Sequence, residues 1–345
     1  MIKAGIIGGT GYTGIELIRL LLGHTQVDVN AITSRSEIGK KLSDLVPNFI
    51  AYDDLVFSEP SVSLFSDCDV VFFATPNGVA MEMAPELLAA GKRVIDLAAD
   101  FRIKDQAIWE QWYAQAHAAP ELLASAVYGL PEHNRELIRD AQLIANPGCY
   151  PTAVSLAYLP LLKSGKINPH QLIADVKSGV SGAGRAANLA GLHAEVSENF
   201  KAYGVNGHRH HPEIEQTLQE MVSNGQVNLT FIPHLLPMNR GIHATCYGEV
   251  YSAHQADDLT QIYQQFYANE PFVSILEAGQ HPETRAVRGT NQCILSVNRV
   301  SETQVVILSV IDNLVKGAAG QAIQNMNIMY SFPETMGIDA IGLLP

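Results

Sequence analysis

The sequence lacks both a long apolar run and a block of basic residues. A membrane-spanning helix needs roughly 20 consecutive apolar residues, so no membrane span is predicted. The formal net charge is −13, and the 22 Lys and Arg residues are dispersed. Nucleic acid is therefore not an expected partner, because binding a phosphate backbone requires clustered cations. A small anionic substrate is still compatible, since a local group of Arg or His can make one cleft positive.

Cysteine is also scarce, and its four copies are far apart, with no CxxC pair. This spacing fits reduced thiols in a cytoplasmic protein better than a disulfide framework or a zinc site. Residues 1–3 run directly into an apolar segment, so no signal peptide is expected. The cysteines are Cys68, Cys149, Cys246 and Cys293.

Apolar residues are plentiful, at 47% against 17% charged residues, which is the composition of a globular protein. A chain of 345 residues is too long for one comfortable core and predicts two domains. In the first part of the chain, short apolar runs alternate with helical patterns, which predicts an α/β fold with a doubly wound, Rossmann-type parallel sheet. The predicted strands span residues 3–7, 27–33, 69–74, 93–97 and 143–145, and the predicted helices span 14–23 and 79–90.

From about residue 170 the pattern changes to β-like runs joined by longer segments. We expect a second, α+β domain there, with a mixed and largely antiparallel sheet. Its predicted strands span residues 172–178, 228–233, 243–251, 293–300 and 304–311, with helices near 212–224 and 257–268. A last helix is predicted over residues 314–329, where Gly317 and Gly320 permit close backbone packing.

A glycine pattern follows the first predicted strand and precedes the first predicted helix. Glycines in this place make the turn tight and let backbone N–H groups approach a pyrophosphate at the helix N-terminus. We therefore predict a dinucleotide site here, and Thr75 and Pro76, at the end of another strand, are expected beside the same cofactor. The predicted cofactor-binding residues of the loop are Gly8, Thr10, Gly11, Tyr12, Thr13 and Gly14.

The residues after the second strand indicate which nicotinamide cofactor is bound. NAD-binding proteins usually place an acidic residue there to accept hydrogen bonds from the ribose 2′-hydroxyl. This chain has Ser34 and Arg35 instead, and an Arg with hydroxyl groups suits a 2′-phosphate. We predict NADP.

Cys149 is the strongest candidate nucleophile. Pro147 and Gly148 predict a turn directly before it, and a helix-like apolar pattern follows over residues 152–162. A thiol at a helix N-terminus is more easily ionised, and the thiolate is the form that attacks carbonyl carbon. The other three cysteines lie in apolar strand-like runs, which are typical of buried and inert thiols.

A histidine-rich segment, His208-Arg209-His210-His211-Pro212-Glu213, supplies candidate acid/base groups. Histidine titrates near neutral pH and can both take and return a proton, and a nearby carboxylate could fix its tautomer. Clustered His and Glu can also bind zinc. That alternative is disfavoured because the spacing matches no common zinc motif and no distant ligand set is evident, so no metal is expected.

At these residues the chain resembles the N-acetyl-γ-glutamyl-phosphate reductase family, within the aspartate-semialdehyde dehydrogenase superfamily. The cysteine segment is shared across the superfamily, whereas the His-Arg-His segment and the Pro-Met-x-Arg-Gly segment point to this family. The similarity covers nearly the whole chain. Its segments are residues 8–14, 96–102, 128–132, 146–152, 178–185, 208–214, 233–241 and 312–321.

The resemblance implies roles for individual residues. Cys149 would form a thioester with the γ-acyl group and expel inorganic phosphate, His210 would be the acid/base, and Glu213 would orient it. Ser181, Gly182 and Asn313 are expected near the nicotinamide. The resemblance also implies a discontinuous nucleotide-binding domain (1–148 and 314–345), a catalytic and oligomerisation domain (149–313), and a homodimer or homotetramer built through the catalytic domain's sheet.

The implied acyl-phosphate substrate carries a phosphate and a carboxylate, which the planar fork of Arg binds well. Four arginines in loop-like segments beside the motifs are candidates, any of which could instead be structural. Asn146, in the cysteine segment, is a further substrate-binding candidate. The arginines are Arg102, Arg185, Arg209 and Arg240.

Several alternatives stay open. Aspartate-semialdehyde dehydrogenase has the same cofactor and nucleophile with a shorter substrate, and a non-catalytic dinucleotide-sensing regulator could keep the fold. Short-chain dehydrogenases also begin with such a glycine loop, but they need a Tyr-x-x-x-Lys pair and no tyrosine here has Lys four residues later. A cysteine hydrolase would leave the glycine loop without a use.

Overall fold

The structure is a computed structural model that describes residues 1–343. It contains two compact units. The first comprises Met1–Pro147 and Ala318–Asp339, and the second comprises Gly148–Gly317 and the described residues from Ala340 onward. The first unit is therefore discontinuous in sequence. The assignment of cofactor binding to the first unit and catalysis to the second stays a prediction.

The first unit is built on a seven-stranded sheet in which every pair is parallel, in the order β3-β2-β1-β4-β5-β7-β6. Its central strands are apolar and buried, which is expected of a parallel sheet that is covered on both faces. The strands are β1 (Ile2–Ile7), β2 (Val27–Thr33), β3 (Phe57–Ser58), β4 (Val70–Phe73), β5 (Arg93–Asp96), β6 (Val127–Tyr128) and β7 (Leu143–Ala145).

Helices connect these strands. The last helix is unusual because its buried side chains include the amides of Gln321, Gln324, Asn325 and Asn327. Those of Gln324, Asn325 and Asn327 form hydrogen bonds within the unit. The helices are α1 (Tyr12–Leu21), α2 (Leu42–Leu45), α3 (Val79–Ala89), α4 (Gln106–Tyr113), α5 (Pro131–Asp140) and α10 (Gly320–Met329). The doubly wound prediction for this part of the chain is confirmed.

The second unit contains a mixed seven-stranded sheet in the order β12-β13-β14-β11-β8-β10-β9. The β8–β10 and β12–β13 pairs are parallel and the other four are antiparallel, as predicted. The strands are β8 (Leu172–Gly179), β9 (Lys201–Ala202), β10 (Leu229–Leu236), β11 (Ile242–Glu249), β12 (Val273–Ile275), β13 (Cys293–Arg299) and β14 (Gln304–Ile311).

One face of this sheet is covered by α6 (Cys149–Lys163), which also contacts α8 (His210–Gln219) and α9 (Leu259–Phe266). Residues 150–162 of α6 are all buried, so its first turn is held firmly in place. A further short helix is α7 (His193–Val196). The face turned away from α6 is only half-buried: on β8, Leu172, Ala174 and Val176 are buried while Ile173, Asp175 and Lys177 are not.

The structure corrects the prediction of one helix over residues 314–329. Val315–Ala319 form a π-helical turn, and the α-helix begins only at Gly320. The buried carboxylate of Asp312 accepts hydrogen bonds from the backbone N–H groups of Leu314 and Val315, which fixes the start of this turn. The strands β3, β6, β9 and β12 were not predicted; three of them have only two residues, too few for a readable periodicity.

Among the described residues, no helix is long and apolar enough to cross a membrane.

Candidate active site

The glycine loop of the first unit has the geometry expected of a dinucleotide cradle. Gly8 has φ +86°, which favours glycine, and a side chain there would meet the carbonyl oxygen of Ala74 at 2.5 Å. A Cβ on Gly14 would lie 2.3 Å from the carbonyl oxygen of Gly8, so only glycine lets α1 begin this close to the loop. Around Gly11, in contrast, a Cβ would meet nothing within 4 Å. The N-terminus of α1 therefore faces open space suited to phosphates.

The end of β2 lies beside this loop, since the backbone N–H of Gly9 donates to the carbonyl of Thr33 at 3.0 Å. Ser34 is buried, and its Oγ accepts from the N–H groups of Ser36 and Glu37, which forms a turn. Arg35 is exposed at the tip of that turn. The first acidic residue after β2, Glu37, forms an ion pair with Lys40 at 2.6 Å. These residues fit a cofactor with a 2′-phosphate.

Thr75 and Pro76 follow β4, the strand paired with β1, and so lie at the same edge of the sheet as the glycine loop. A carboxylate that sequence reasoning missed supports this edge. Asp100 is buried and accepts hydrogen bonds from the N–H groups of Gly78 and Met81 at the start of α3. Burial, together with the neighbouring Asp100 carboxylate, raises the pKa of Asp96 to about 8.

In the second unit, Cys149 is the first residue of α6, as predicted, and Gly148 is the cap residue before it. The backbone N–H of Gly148 donates to Oε1 of Glu213 at 2.8 Å, and the Glu213 side chain is fully buried. The first turn of α6 contains no acidic side chain. The positive end of the helix dipole is thus directed at the cysteine, which favours a thiolate.

Exposure distinguishes Cys149 from the other thiols. Cys149 is partly exposed, whereas Cys68, Cys246 and Cys293 are buried. Burial raises the pKa of the Cys68 and Cys246 thiols, which keeps them protonated and unreactive. Cys149 is therefore the cysteine suited to nucleophilic attack.

The structure separates the three histidines that the sequence left equivalent. His208 is mostly enclosed, and its Nδ1 accepts from the backbone N–H of His210 at 3.0 Å. Burial, Arg209 and His211 lower the pKa of His208 to about 4, so this ring is neutral at physiological pH. His208 therefore accepts a backbone hydrogen bond at the start of α8 as a neutral ring, which makes it a weaker candidate for proton exchange.

His211 lies in a different environment. Its Nε2 is 3.0 Å from the carbonyl oxygen of Leu229 and 3.4 Å from Oε1 of Glu215, and the hydrogen bond to Glu215 raises its pKa. His210, in contrast, places its ring edge-on to Tyr150, the second residue of α6, at 5.7 Å between centroids. His208 makes the same kind of contact with Tyr150 at 5.6 Å, so His210 is preferred over His208 as the acid/base candidate because the pKa of His208 is depressed, and not because of this contact. Its predicted pairing with Glu213 stays a prediction.

Two tyrosines beside the cysteine were missed by sequence reasoning. The hydroxyl groups of Tyr150 and Tyr203 are 2.7 Å apart, and both side chains are largely buried. Burial raises the pKa of Tyr203 to about 12, and the charge of a Cys149 thiolate acts in the same direction. The pair is therefore neutral. The only signal in the sequence was the position of Tyr150 next to Cys149.

The structure also brings together Ser181, Gly182 and Asn313. Asn313 donates through Nδ2 to Oγ of Ser181 at 2.9 Å and accepts through Oδ1 from the backbone N–H of Gly241. A Cβ on Gly182 would approach Oγ of Ser178 to 2.9 Å. These residues lie close together in the second unit. Their predicted approach to the nicotinamide remains a prediction.

The five substrate-binding candidates occupy three kinds of position. Arg102 is buried and donates to the carbonyl oxygens of Asn146 and Leu97, both at 2.8 Å. The Asn146 side chain is also buried, and it bonds Asn325 and the carbonyl of Ala318. These contacts support the segment that precedes Cys149.

The other three candidates are nearer the surface. Arg240 is half-buried and lies 3.5 Å from the fully buried carboxylate of Asp312. Arg185 and Arg209 are exposed. Among the described residues, no group of three or more His, Cys, Asp or Glu side chains could hold a metal ion.

Known proteins share this combination of sheets. A model of the semialdehyde dehydrogenase NAD binding domain matches residues 3–141, and a model of the semialdehyde dehydrogenase dimerisation domain matches residues 149–313. The solved structure of aspartate semialdehyde dehydrogenase II from Vibrio cholerae, complexed with ASA, has a TM-score of 0.71 at 17% identity and covers 96% of this chain and 98% of its own. The enzyme from Candida albicans with NADP has a TM-score of 0.69 at 18% identity, covering 96% and 98%. At these identities the two structures show the fold. Fold and family models together define a semialdehyde dehydrogenase.

Closer relatives narrow the assignment. The N-acetyl-gamma-glutamyl-phosphate reductases of Nitrosomonas europaea and Cellvibrio japonicus are 60% and 58% identical to the chain over 346 and 348 residues, with complete coverage of both sequences in each case. The chain belongs to the N-acetyl-γ-glutamyl-phosphate reductase family. Membership confirms the predicted enzyme class, an NADP-dependent oxidoreductase of the semialdehyde dehydrogenase type.

The depressed pKa of His208 predicts a pH-dependent stability. The unfolded chain binds a proton at the ordinary pKa of 6.5, whereas the folded ring binds it only near 4. The contribution of the neutral His208 ring to the free energy of unfolding is therefore full above pH 6.5, and it is lost as the pH falls towards 4. Between pH 7 and pH 5, the free energy of unfolding measured in urea should fall by about 1 to 2 kcal/mol more in the wild type than in His208→Asn. The Asn side chain keeps an acceptor near the position of Nδ1 but does not titrate. Equal losses in the two proteins would contradict the assignment.

Proposed function

We propose that this chain reduces N-acetyl-γ-glutamyl phosphate to N-acetylglutamate semialdehyde and inorganic phosphate, with NADPH, in the arginine biosynthesis of the cytoplasm. The observation that carries the mechanism is the position of Cys149, partly exposed at the first residue of α6 with His210 against the same turn. The family of the chain supports the substrate and the pathway.

Acyl transfer to the cysteine is the first step. The Cys149 thiolate attacks the γ-carbonyl carbon, and the tetrahedral intermediate expels phosphate to leave a thioester. The oxyanion of that intermediate requires a hydrogen-bond donor. Among residues 150–152, Pro151 has no N–H and that of Thr152 is bound to the carbonyl of Gly148, so the N–H of Tyr150 is the candidate donor.

Reduction of the thioester is the second step. The residues 8–14, Ser34, Arg35, Thr75 and Pro76 would hold NADPH in the first unit, with Ser181, Gly182 and Asn313 of the second near the nicotinamide. When bound, NADPH supplies the hydride that converts the acyl group to the aldehyde. His210 protonates the departing Cys149 sulfur, and Glu213 holds the start of the cysteine helix through Gly148.

Substrate binding is assigned to arginine side chains, whose planar guanidinium group is positively charged. Arg185, Arg209 and Arg240 belong to the second unit and are the candidates for the phosphate and carboxylate. For Arg102 and Asn146, the observed backbone and amide bonds favour support of the segment before Cys149. An effect of these two on catalysis would then arise through that segment.

Two alternatives have specific tests. The two aspartate semialdehyde dehydrogenase structures are only 17% and 18% identical to the chain, whereas the two reductases are 58% and 60% identical to it. A regulator that only senses the dinucleotide would not need a reactive thiol. The preferred substrate distinguishes aspartate-semialdehyde dehydrogenase from the proposed reductase. The effect of removing the Cys149 thiol distinguishes a regulator from an enzyme.

The function is tested by the phosphate-dependent reverse reaction, with NADP and either N-acetylglutamate semialdehyde or aspartate semialdehyde. We expect at least about 100-fold higher kcat/KM with the acetylated substrate, because buried polar groups left unpaired by a wrong substrate are costly. Cys149→Ala should lower kcat by about 10⁴-fold or more while NADPH still binds. Cys68→Ala is the control, since that thiol is buried in the other unit. Near-normal turnover by Cys149→Ala, or a preference for aspartate semialdehyde, would reject the proposal.

Cofactor choice gives a second prediction. Arg35→Ser should raise KM for NADPH by about 10-fold or more and leave KM for NADH little changed, because only NADPH carries the 2′-phosphate. Arg139→Ser is the matched control, since Arg139 is an exposed arginine on α5 that pairs with Glu136. Wild-type enzyme with equal kcat/KM for the two cofactors would remove the NADP assignment.

We also propose a homodimer or homotetramer formed through the half-buried face of the second unit's sheet. The dimerisation-domain model covers this sheet. Ile173 on β8 and Tyr247 on β11 are direct neighbours in register, about two-fifths exposed, and line a groove of about 810 Å³. An apolar pair on an open sheet face suits a second copy of the same face, as in a two-fold interface.

In such an interface each substitution occurs twice. Ile173→Glu combined with Tyr247→Glu should weaken association by about 100-fold or more, seen as a smaller species in sedimentation velocity at micromolar concentration. Ile50→Glu is the control, because Ile50 is exposed on the first unit. An unchanged oligomer in the double variant would place the interface elsewhere.

A further inference from the structure

A backbone contact on Cys149 comes from the opposite end of the second unit's sequence. A Cβ placed on Gly317 would lie 2.7 Å from Cβ of Cys149 and 3.1 Å from its Cα. Real Cβ atoms do not approach each other this closely, so any side chain at residue 317 would require Cys149 to move. Gly317 therefore packs directly against the first residue of α6.

The backbone conformation does not itself require glycine at this position. The φ angle of Gly317 is outside the left-handed region, and alanine is the better helix former. The space occupied by Cys149 is thus the reason for glycine here.

The π-helical turn places Gly317 at this contact. The N–H of Gly317 donates to the carbonyl of Asp312, five residues earlier, at 2.9 Å, instead of the four-residue spacing of an α-helix. The Asp312 carboxylate is fully buried, and besides the turn it binds the N–H of Gly289 at 2.7 Å. Lys316 is also buried, with Nζ 5.8 Å from the ring centroid of Phe272. The residues that lead into the contact, Asp312 and Lys316, are therefore both held in the interior of the second unit.

We propose that Gly317 is a positioning residue for the nucleophile: the π-helical turn presses a backbone without a side chain against Cys149 and so sets the direction of its thiol. This inference rests on the proposed function, in which Cys149 is the attacking group. The π-helical turn is closed by a hydrogen bond over five residues instead of four, and Gly317 is the residue whose N–H closes it. A side chain at residue 317 would rotate or shift Cys149 away from the reacting carbonyl.

The test is Gly317→Ala, with two readouts besides thermal unfolding. The kcat of the reductase should fall by about 100-fold, because displacing a reacting group by about an ångström has effects of this order, while the Kd for NADPH stays within about twofold of wild type. Alkylation of Cys149 by iodoacetamide in the absence of substrate, followed by mass spectrometry, should also slow by about 10-fold, with a shifted pH midpoint. A role in stability alone would leave the alkylation rate and its pH profile of the folded protein unchanged.

Gly23→Ala is the matched control. Gly23 also lies outside the left-handed region, and its Cβ would meet only the carbonyl of Leu20 at an ordinary 3.5 Å. Wild-type kcat and alkylation in this variant show that a glycine-to-alanine change as such is harmless. Folded Gly317→Ala with wild-type kcat and wild-type alkylation would overturn the proposal.

A second variant decides the case in which Gly317→Ala does not fold. Asp312→Asn keeps the size of the side chain but weakens the anchor of the turn, and it should slow Cys149 alkylation in the substrate-free protein. Wild-type alkylation rate and pH profile in Asp312→Asn would then reject the inference. If Cys149→Ala is inactive while Gly317→Ala is fully active, only the positioning role fails; if Cys149→Ala is active, the proposed function itself fails.

Discussion

The hydrogen bond from the N–H of Gly148 to the buried carboxylate of Glu213 ties the start of α6 to the first turn of α8. Both partners sit at helix ends, where backbone N–H groups otherwise lack intrahelical acceptors. The Glu213 carboxylate satisfies the N–H of Gly148, one residue before the cysteine. The end of the helix is left directed at the thiol of Cys149. Any reaction at Cys149 depends on this arrangement, since a thiolate is useful only when its direction is controlled.

Around that bond, each contact limits one kind of movement of the cysteine. The buried side chains of α6 hold the helix on the sheet. Tyr150 is held by the Tyr203 hydroxyl, and the backbone of Gly317 packs against Cys149. In the first unit, Arg102 and Asn325 bind the carbonyl and side chain of Asn146, in the segment that leads to the cysteine. Polar groups that read as substrate contacts in the sequence here contribute to rigidity.

The histidine segment shows how neighbouring residues of one type acquire different chemistry. His208 is enclosed and accepts a backbone N–H, so its charged form is disfavoured. His211 gains a carboxylate partner, so its charged form is favoured. His210, like His208, lies edge-on to Tyr150 at the start of the cysteine helix. One segment thus contains a neutral hydrogen-bond acceptor, an ion-pair partner and an acid/base candidate, which differ in their surroundings and not in residue type.

Local patterns in the sequence determined much of this protein. Alternating apolar runs predicted both sheets, the glycine spacing predicted the cradle after β1, and Pro147-Gly148 predicted that Cys149 begins a helix. These features depend on residues close together in the chain, and periodicity or turn chemistry makes them readable. Tertiary structure alone decided the partners that are distant in sequence. Examples are Glu213 on the backbone of Gly148, Tyr203 on Tyr150, and Gly317 against Cys149, 168 residues away. The sequence signalled that residue 317 packs closely, but the identity of its neighbour is set by which elements the fold brings together, and no local preference encodes that.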